Sequence, residues 1–96
     1  MLIIAGYLEL DPNRRDDYVA AHTDLIARAR QADGCLDLAI SADSVHETRV
    51  NLFERWKSEE ALEAWRATSN PPQLDVQFVG GDVMKYTIDH VSPAFD

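Results

Sequence analysis

The chain has 96 residues, 46% of them hydrophobic, and carries 17 acidic against 9 basic side chains for a net charge of −8. That length suits one domain (1–96) with one core, small enough to gain much from a partner, and the hydrophobic content excludes disorder. The acidic balance excludes nucleic acid as a partner and argues equally against an anionic membrane surface.

Leu2 to Leu10 is apolar nearly throughout, as a central strand is, and Gly6 in its middle marks a bulge or a close approach by another group. Asp11-Pro12 ends the strand and starts a helix, with aspartate as N-cap and proline at the first helical position. The helix is expected from about Asn13 to Ala32. Its apolar stripe is Tyr18, Val19, His22, Leu25, Ile26 and Ala29, and Gly34 is placed to terminate it. Cys35 to Ala42 alternates as a second strand. Asp43 to Thr48 is a polar connection to a third strand, Arg49 to Trp56, so these two strands form a hairpin with a longer loop.

The third strand has two distinct faces, Val50, Leu52, Glu54 and Trp56 on one and Asn51, Phe53 and Arg55 on the other. Both meet something apolar, which places it inside a sheet. Ser58 then caps a second helix, with Glu59 and Glu60 in its first turn and Leu62 and Trp65 as its apolar stripe. Thr68-Ser-Asn-Pro-Pro72 stops that helix. Leu74, Val76, Phe78 and Val79 lie in a segment of open type, a short helix among the options. Gly80-Gly81-Asp82 reads as a turn into a last strand, Val83 to Val91, followed by a tail from Ser92 to Asp96. The order strand, helix, strand, strand, helix, strand gives an α+β, ferredoxin-like βαββαβ fold with a four-stranded antiparallel sheet and both helices on one face. The other face is then bare and apolar, and a second copy of the chain is its expected cover, making a homodimer.

Leu2-Ile-Ile-Ala5 is too short for a signal peptide, no segment has transmembrane length, and a lone cysteine, Cys35, fits a reducing cytoplasm. No metal-ligand spacing and no glycine-rich phosphate loop occur, so neither a metal nor another cofactor is expected.

Asp33-Gly-Cys-Leu-Asp37 together with Arg49-Val-Asn-Leu-Phe-Glu-Arg-Trp56-Lys-Ser-Glu-Glu-Ala-Leu-Glu63 resembles the antibiotic biosynthesis monooxygenase domain. The resemblance implies a dimeric α+β barrel with a mainly apolar pocket between sheet and helices. The family includes oxygenases that use neither metal nor flavin on anthrones and quinols, haem-degrading enzymes, and isomerases of small carbonyl compounds. In the anthrone-oxidising branch an asparagine lies four residues before the strand-three tryptophan, where this chain has Leu52; Asn51 is five before and points the opposite way. The histidines that many relatives carry in and after the second helix are replaced by Trp65 and Asn70-Pro-Pro72, which sets the chain apart from the haem-degrading branch.

Two groups are candidates for catalysis. Glu54, among apolar neighbours, is either a general base raised in pKa by desolvation or a structural carboxylate paired with Arg55, Arg66 or Arg28. His22, on an apolar helix face, is either a base toward a phenolic or enolic substrate or a satisfied core histidine. Tyr7, Asn51, Leu52, Trp56 and Trp65 are the expected substrate-binding residues, although Trp56 and Trp65 belong first to the core. His46 and His90 read as solvated, and Cys35 as a small buried hydrophobe. The function expected is a cofactor-independent monooxygenase acting on a small phenolic, quinol or polyketide-like aromatic molecule. The alternatives are a non-catalytic dimeric binding module and an isomerase.

Overall fold

A computed structural model describes residues 1–95; Asp96, the end of the expected tail, lies outside the described residues. The elements run β1 (Leu2–Leu10), α1 (Pro12–Ala21), α2 (Thr23–Ala29), β2 (Cys35–Ala42), β3 (Arg49–Trp56), α3 (Glu59–Thr68) and β4 (Phe78–Thr87). The strands form one antiparallel sheet in the order β2-β3-β1-β4, with β1 and β3 central as their two-sided apolar patterns require. The fold is the expected α+β, ferredoxin-like one.

The start signals act as read. The Asp11 carboxylate accepts from the Asn13 N–H at 2.9 Å with Pro12 opening α1, and the Ser58 hydroxyl accepts from the Ala61 N–H at 3.2 Å at the head of α3. The first helix, however, is two. At His22 the backbone N–H turns back to the Val19 carbonyl, and the Thr23 hydroxyl donates to the Ala20 carbonyl at 2.9 Å. These local bonds compete with the helical ladder, and the chain restarts as α2, which ends at Ala29 rather than Ala32.

Residues 69–77 form no helix. The Arg14 guanidinium donates to the Asp75 carbonyl at 2.9 Å, occupying an acceptor that a helix would need. Nor do Gly80 and Gly81 make a turn. They lie within β4 opposite Glu9 and Leu8, and the register slips between Glu9 and Leu10, leaving Val79 as the extra residue of a bulge. A Cβ on Gly80 would meet the Glu9 carboxylate at 2.8 Å. The glycines therefore serve close packing against β1, and β4 ends at Thr87, not Val91.

Pairing and alternation assign the faces. Leu2, Ile4, Leu38, Val50 and Trp56 turn toward the helices, where Leu25, Ala29 and Leu62 meet them; all eight are buried. Burial of each large side chain contributes about 1.5–3 kcal/mol. The opposite, open face carries Ile3, Ala5, Tyr7, Asn51, Phe53, Met84 and Tyr86, with Met84 and Tyr86 56% and 50% exposed. Gly6 fulfils the close-approach reading. Its φ is +152°, and a Cβ there would fall 1.9 Å from the Asp82 carbonyl oxygen of β4.

Candidate functional site

The α1–α2 break brings His22 inward. Its side chain is only 7% exposed, the one buried polar residue among those described, and its ring lies 4.3 Å from that of Tyr18 one turn earlier. Tyr18 in turn meets the edge of Phe78 at 5.6 Å, so residues from α1 and the start of β4 form one aromatic cluster around the imidazole. The Nδ1 atom stands 2.7 Å from the Tyr18 carbonyl oxygen. A carbonyl can only accept, so Nδ1 carries the proton and Nε2 of the neutral ring keeps a lone pair. Burial raises the pKa of the Tyr18 hydroxyl, which therefore stays protonated at neutral pH.

Glu54 occupies a different part of the same side of the sheet, across from Ile4 and Leu38. Its partner is none of the three expected arginines. The Trp56 indole Nε1–H donates to Glu54 Oε1 at 2.9 Å, between residues two apart on one strand face. Arg28 spends its donors on Asp24 at 2.8 Å and on the Ser69 carbonyl at 2.7 Å, and its guanidinium sits 5.7 Å from the Trp65 ring. Trp65 lies 6.2 Å from Trp56, ring to ring, so Glu54, Trp56, Trp65 and Arg28 form a second cluster. The structure thus brings Glu54, Leu52, Trp56, Trp65 and His22 to the helix side, with His22 and Glu54 each hydrogen-bonded to a different neighbour.

Tyr7 and Asn51 do not join them. They face each other across β1 and β3 on the open face, because alternation puts them opposite to Leu52. There the Arg49 guanidinium stacks 3.6 Å over the Tyr7 ring, and Asn51 Nδ2 donates to Asp43 Oδ1 at 2.8 Å. Asp43 also accepts from the backbone N–H groups of His46 and Val45 at 2.8 and 3.0 Å. These bonds, the one from His46 foremost, hold its carboxyl well below the ordinary carboxylate range. Arg15 of α1 closes the same loop from the other side, donating to the Asp43 and His46 carbonyls. Sequence reading passed over Arg15, Arg49 and Asp43; only the Asp-Ser opening of the loop, an Asx-turn pattern, signalled one of them.

Two clefts border α1. One, of about 360 Å³, is lined by Ala21, Asp24, Leu25, Arg28, Asn70 and Pro72 at the helix break beside His22. The other, of about 540 Å³, lies at the head of α1 between Leu10, Pro12, Val76 and Val79. A third hollow of about 580 Å³ runs between α2 and α3 over Trp65, with Ala27, Gln31 and Ala32 along it. Among the described residues no three His, Cys, Asp or Glu side chains gather as a metal-binding group. Nor is any helix long and apolar enough to cross a membrane.

The model of the family described as "Antibiotic biosynthesis monooxygenase" matches residues 1–71. The solved structure of PA3566 from Pseudomonas aeruginosa superposes with a TM-score of 0.74 at 17% identity, over 93% of this chain and 94% of that one. A candidate antibiotic biosynthesis monooxygenase from Nitrosomonas europaea gives 0.72 at 16%, over 94% and 100%. The haem-degrader MhuD from Mycobacterium tuberculosis, solved with two haems in its active site, gives 0.68 at 13%, over 97% and 100%. At these identities the likeness is one of fold. An uncharacterised Synechocystis protein, sll1783, is 23% identical over 62 residues; that match takes 65% of this chain and 42% of the cyanobacterial protein, so the chain spans well under half of that relative's length. With the family match covering β1 through α3, this chain belongs to the antibiotic biosynthesis monooxygenase family.

Proposed function

We propose that the chain is a cofactor-independent monooxygenase of small phenolic, quinol or anthrone-like aromatic compounds, working as a homodimer in a reducing cytoplasm. The observation that carries this reading is the buried His22, whose Nδ1 is fixed by the Tyr18 carbonyl and whose Nε2 is left as the base, within an aromatic cluster. Removing a proton from such a substrate makes an electron-rich anion that can itself reduce dioxygen. For an anthrone methylene the balance is one substrate and one O₂ giving one carbonyl and one water, with every electron drawn from the substrate. The protein would bind the ring, take the proton and exclude bulk water. A cleft lined by Ala21, Asp24 and Leu25 lies at the same helix break, although His22 itself does not line it. Glu54, bonded to Trp56, would hold the sheet wall rather than take the proton.

The separation of His22 from Glu54, and of both from Tyr7 and Asn51, favours the second reading, a dimeric binding module without turnover. Oxygen uptake with a panel of anthrones and hydroquinones decides between them. Turnover that falls by about 100-fold or more in His22→Gln, with the fold intact by circular dichroism, supports the first. Binding of the same compounds without oxygen uptake supports the second.

A further inference from the structure

Arg49 is the least explained charge in the molecule. Its Nε is buried and has no hydrogen-bond partner, the single such side-chain atom among the described residues. The ion pairs of the described residues are Arg15–Asp16, Arg28–Asp24, Arg30–Asp37 and Lys85–Glu59, so Arg49 is in none of them. Its guanidinium carbon instead sits 3.6 Å from the centre of the Tyr7 ring, which keeps the group on the open face of the sheet. The Nε is closed to an outside acceptor, but the half-buried guanidinium as a whole has no ion-pair partner among the described residues and is left to take one from beyond the chain.

Three carboxylates are near that corner: Asp43 feels the Arg49 charge, but its two oxygens already accept from Asn51, His46 and Val45. Glu9 stands directly across β1 from Arg49, but its side chain lies over Gly80 of β4. Asp82, across from Tyr7, is exposed and forms no ion pair among the described residues. A free anion could answer Arg49, yet it would leave Ile3, Ala5, Phe53, Met84 and Tyr86 of the same face bare. A second copy answers both needs. In a two-fold interface every contact between one residue and a different residue of the partner occurs twice, so one unpaired cation and one unpaired acid per chain make two matched pairs. The match also opposes the repulsion between two chains of net charge −8.

We propose that Arg49, stacked on Tyr7, receives the Asp82 carboxylate of a second copy of this chain, and that this reciprocal pair selects the partner and its orientation. The inference rests on the homodimer proposed above and adds to it the residues that govern pairing.

Reciprocal charge reversal tests it by sedimentation velocity. Arg49→Glu sets two carboxylates together in its homodimer, and Asp82→Arg sets two guanidinium groups together. Each change should weaken self-association by at least about tenfold. Mixing the two variants restores both pairs, so a heterodimer should form at concentrations where neither homodimer persists. Asp82 is exposed on an edge strand, so Asp82→Arg alone still reports should Arg49→Glu fold poorly. Variants that self-associate like the parent, or a mixture that yields no heterodimer, would overturn the pairing while leaving the homodimer in place. Recovery only when both changes sit in one chain would assign the pair to a single subunit and overturn it equally. A parent chain that is monomeric at micromolar concentration removes the homodimer and this inference together.

Discussion

The Trp56 indole donates its N–H to the carboxylate of Glu54, two residues earlier on the same face of β3, at 2.9 Å. Trp56 is fully buried, so this bond satisfies a donor that water cannot reach. The acceptor's charge is incidental to that role, because an amide oxygen serves an indole as well. Glu54→Gln should change stability by less than about 1 kcal/mol, whereas Glu54→Leu strands the indole and should cost about 1–3 kcal/mol. Urea denaturation of both variants checks the pair. A glutamine as costly as the leucine would mean that a cation, not Trp56, is the true partner.

Gly6→Ala should be among the most damaging single-atom additions in the chain. The new methyl would require a positive φ and would fall 1.9 Å from the Asp82 backbone oxygen, so β4 must move away from β1. A cost of about 1–3 kcal/mol is expected, with hydrogen exchange accelerating selectively in β4. Unchanged exchange in β4 would contradict the close approach.

Acid stability should depend on Asp43. Hydrogen bonds from His46, Asn51 and Val45 depress its pKa in the folded chain below the ordinary 3.8. A depressed folded value means that the stabilisation is fully present above the unfolded pKa and is lost as pH falls below it. Asp43→Asn removes that titration, so its stability should fall less steeply than the parent's below about pH 4. Thermal midpoints across that range provide the measurement, and parallel curves for the two proteins would count against the linkage.

Cys35 should be a slow nucleophile. Burial first, then the nearby Asp37 and Glu54 carboxylates, raise its thiol pKa above the ordinary 9.0. Alkylation by iodoacetamide at neutral pH should run slower than for a free peptide cysteine, and its rate should keep climbing past pH 9. A rate that levels off near neutrality would show a stabilised thiolate instead.

Local rules read from the sequence account for much of the architecture. Period-two alternation identified β2 and β3 and sorted Leu52, Glu54 and Trp56 from Asn51 and Phe53, because strand geometry fixes which side chains share a face. Asp11-Pro12 and Ser58 marked two helix starts through short-range bonds that depend on neighbouring residues alone. The break at His22 was not legible: a histidine and a threonine at helical spacing carry no breaker signal, and the competing carbonyl bonds exist only once the turn has formed. Gly80-Gly81 misled for a related reason, since a glycine pair fits a turn or a tight approach, and only the position of Glu9 on the next strand selects between them. The acceptor of Trp56, the stacking of Arg49 on Tyr7 and the placing of Tyr7 across from Asn51 all depend on which groups the fold brings together and in what register. The sequence by itself determined strands β1 to β3, the two capped helix starts and the faces of β3, because those follow from contacts a few residues apart. Which charged and aromatic groups meet was decided by the tertiary structure, which alone brings distant segments of the chain within bonding distance.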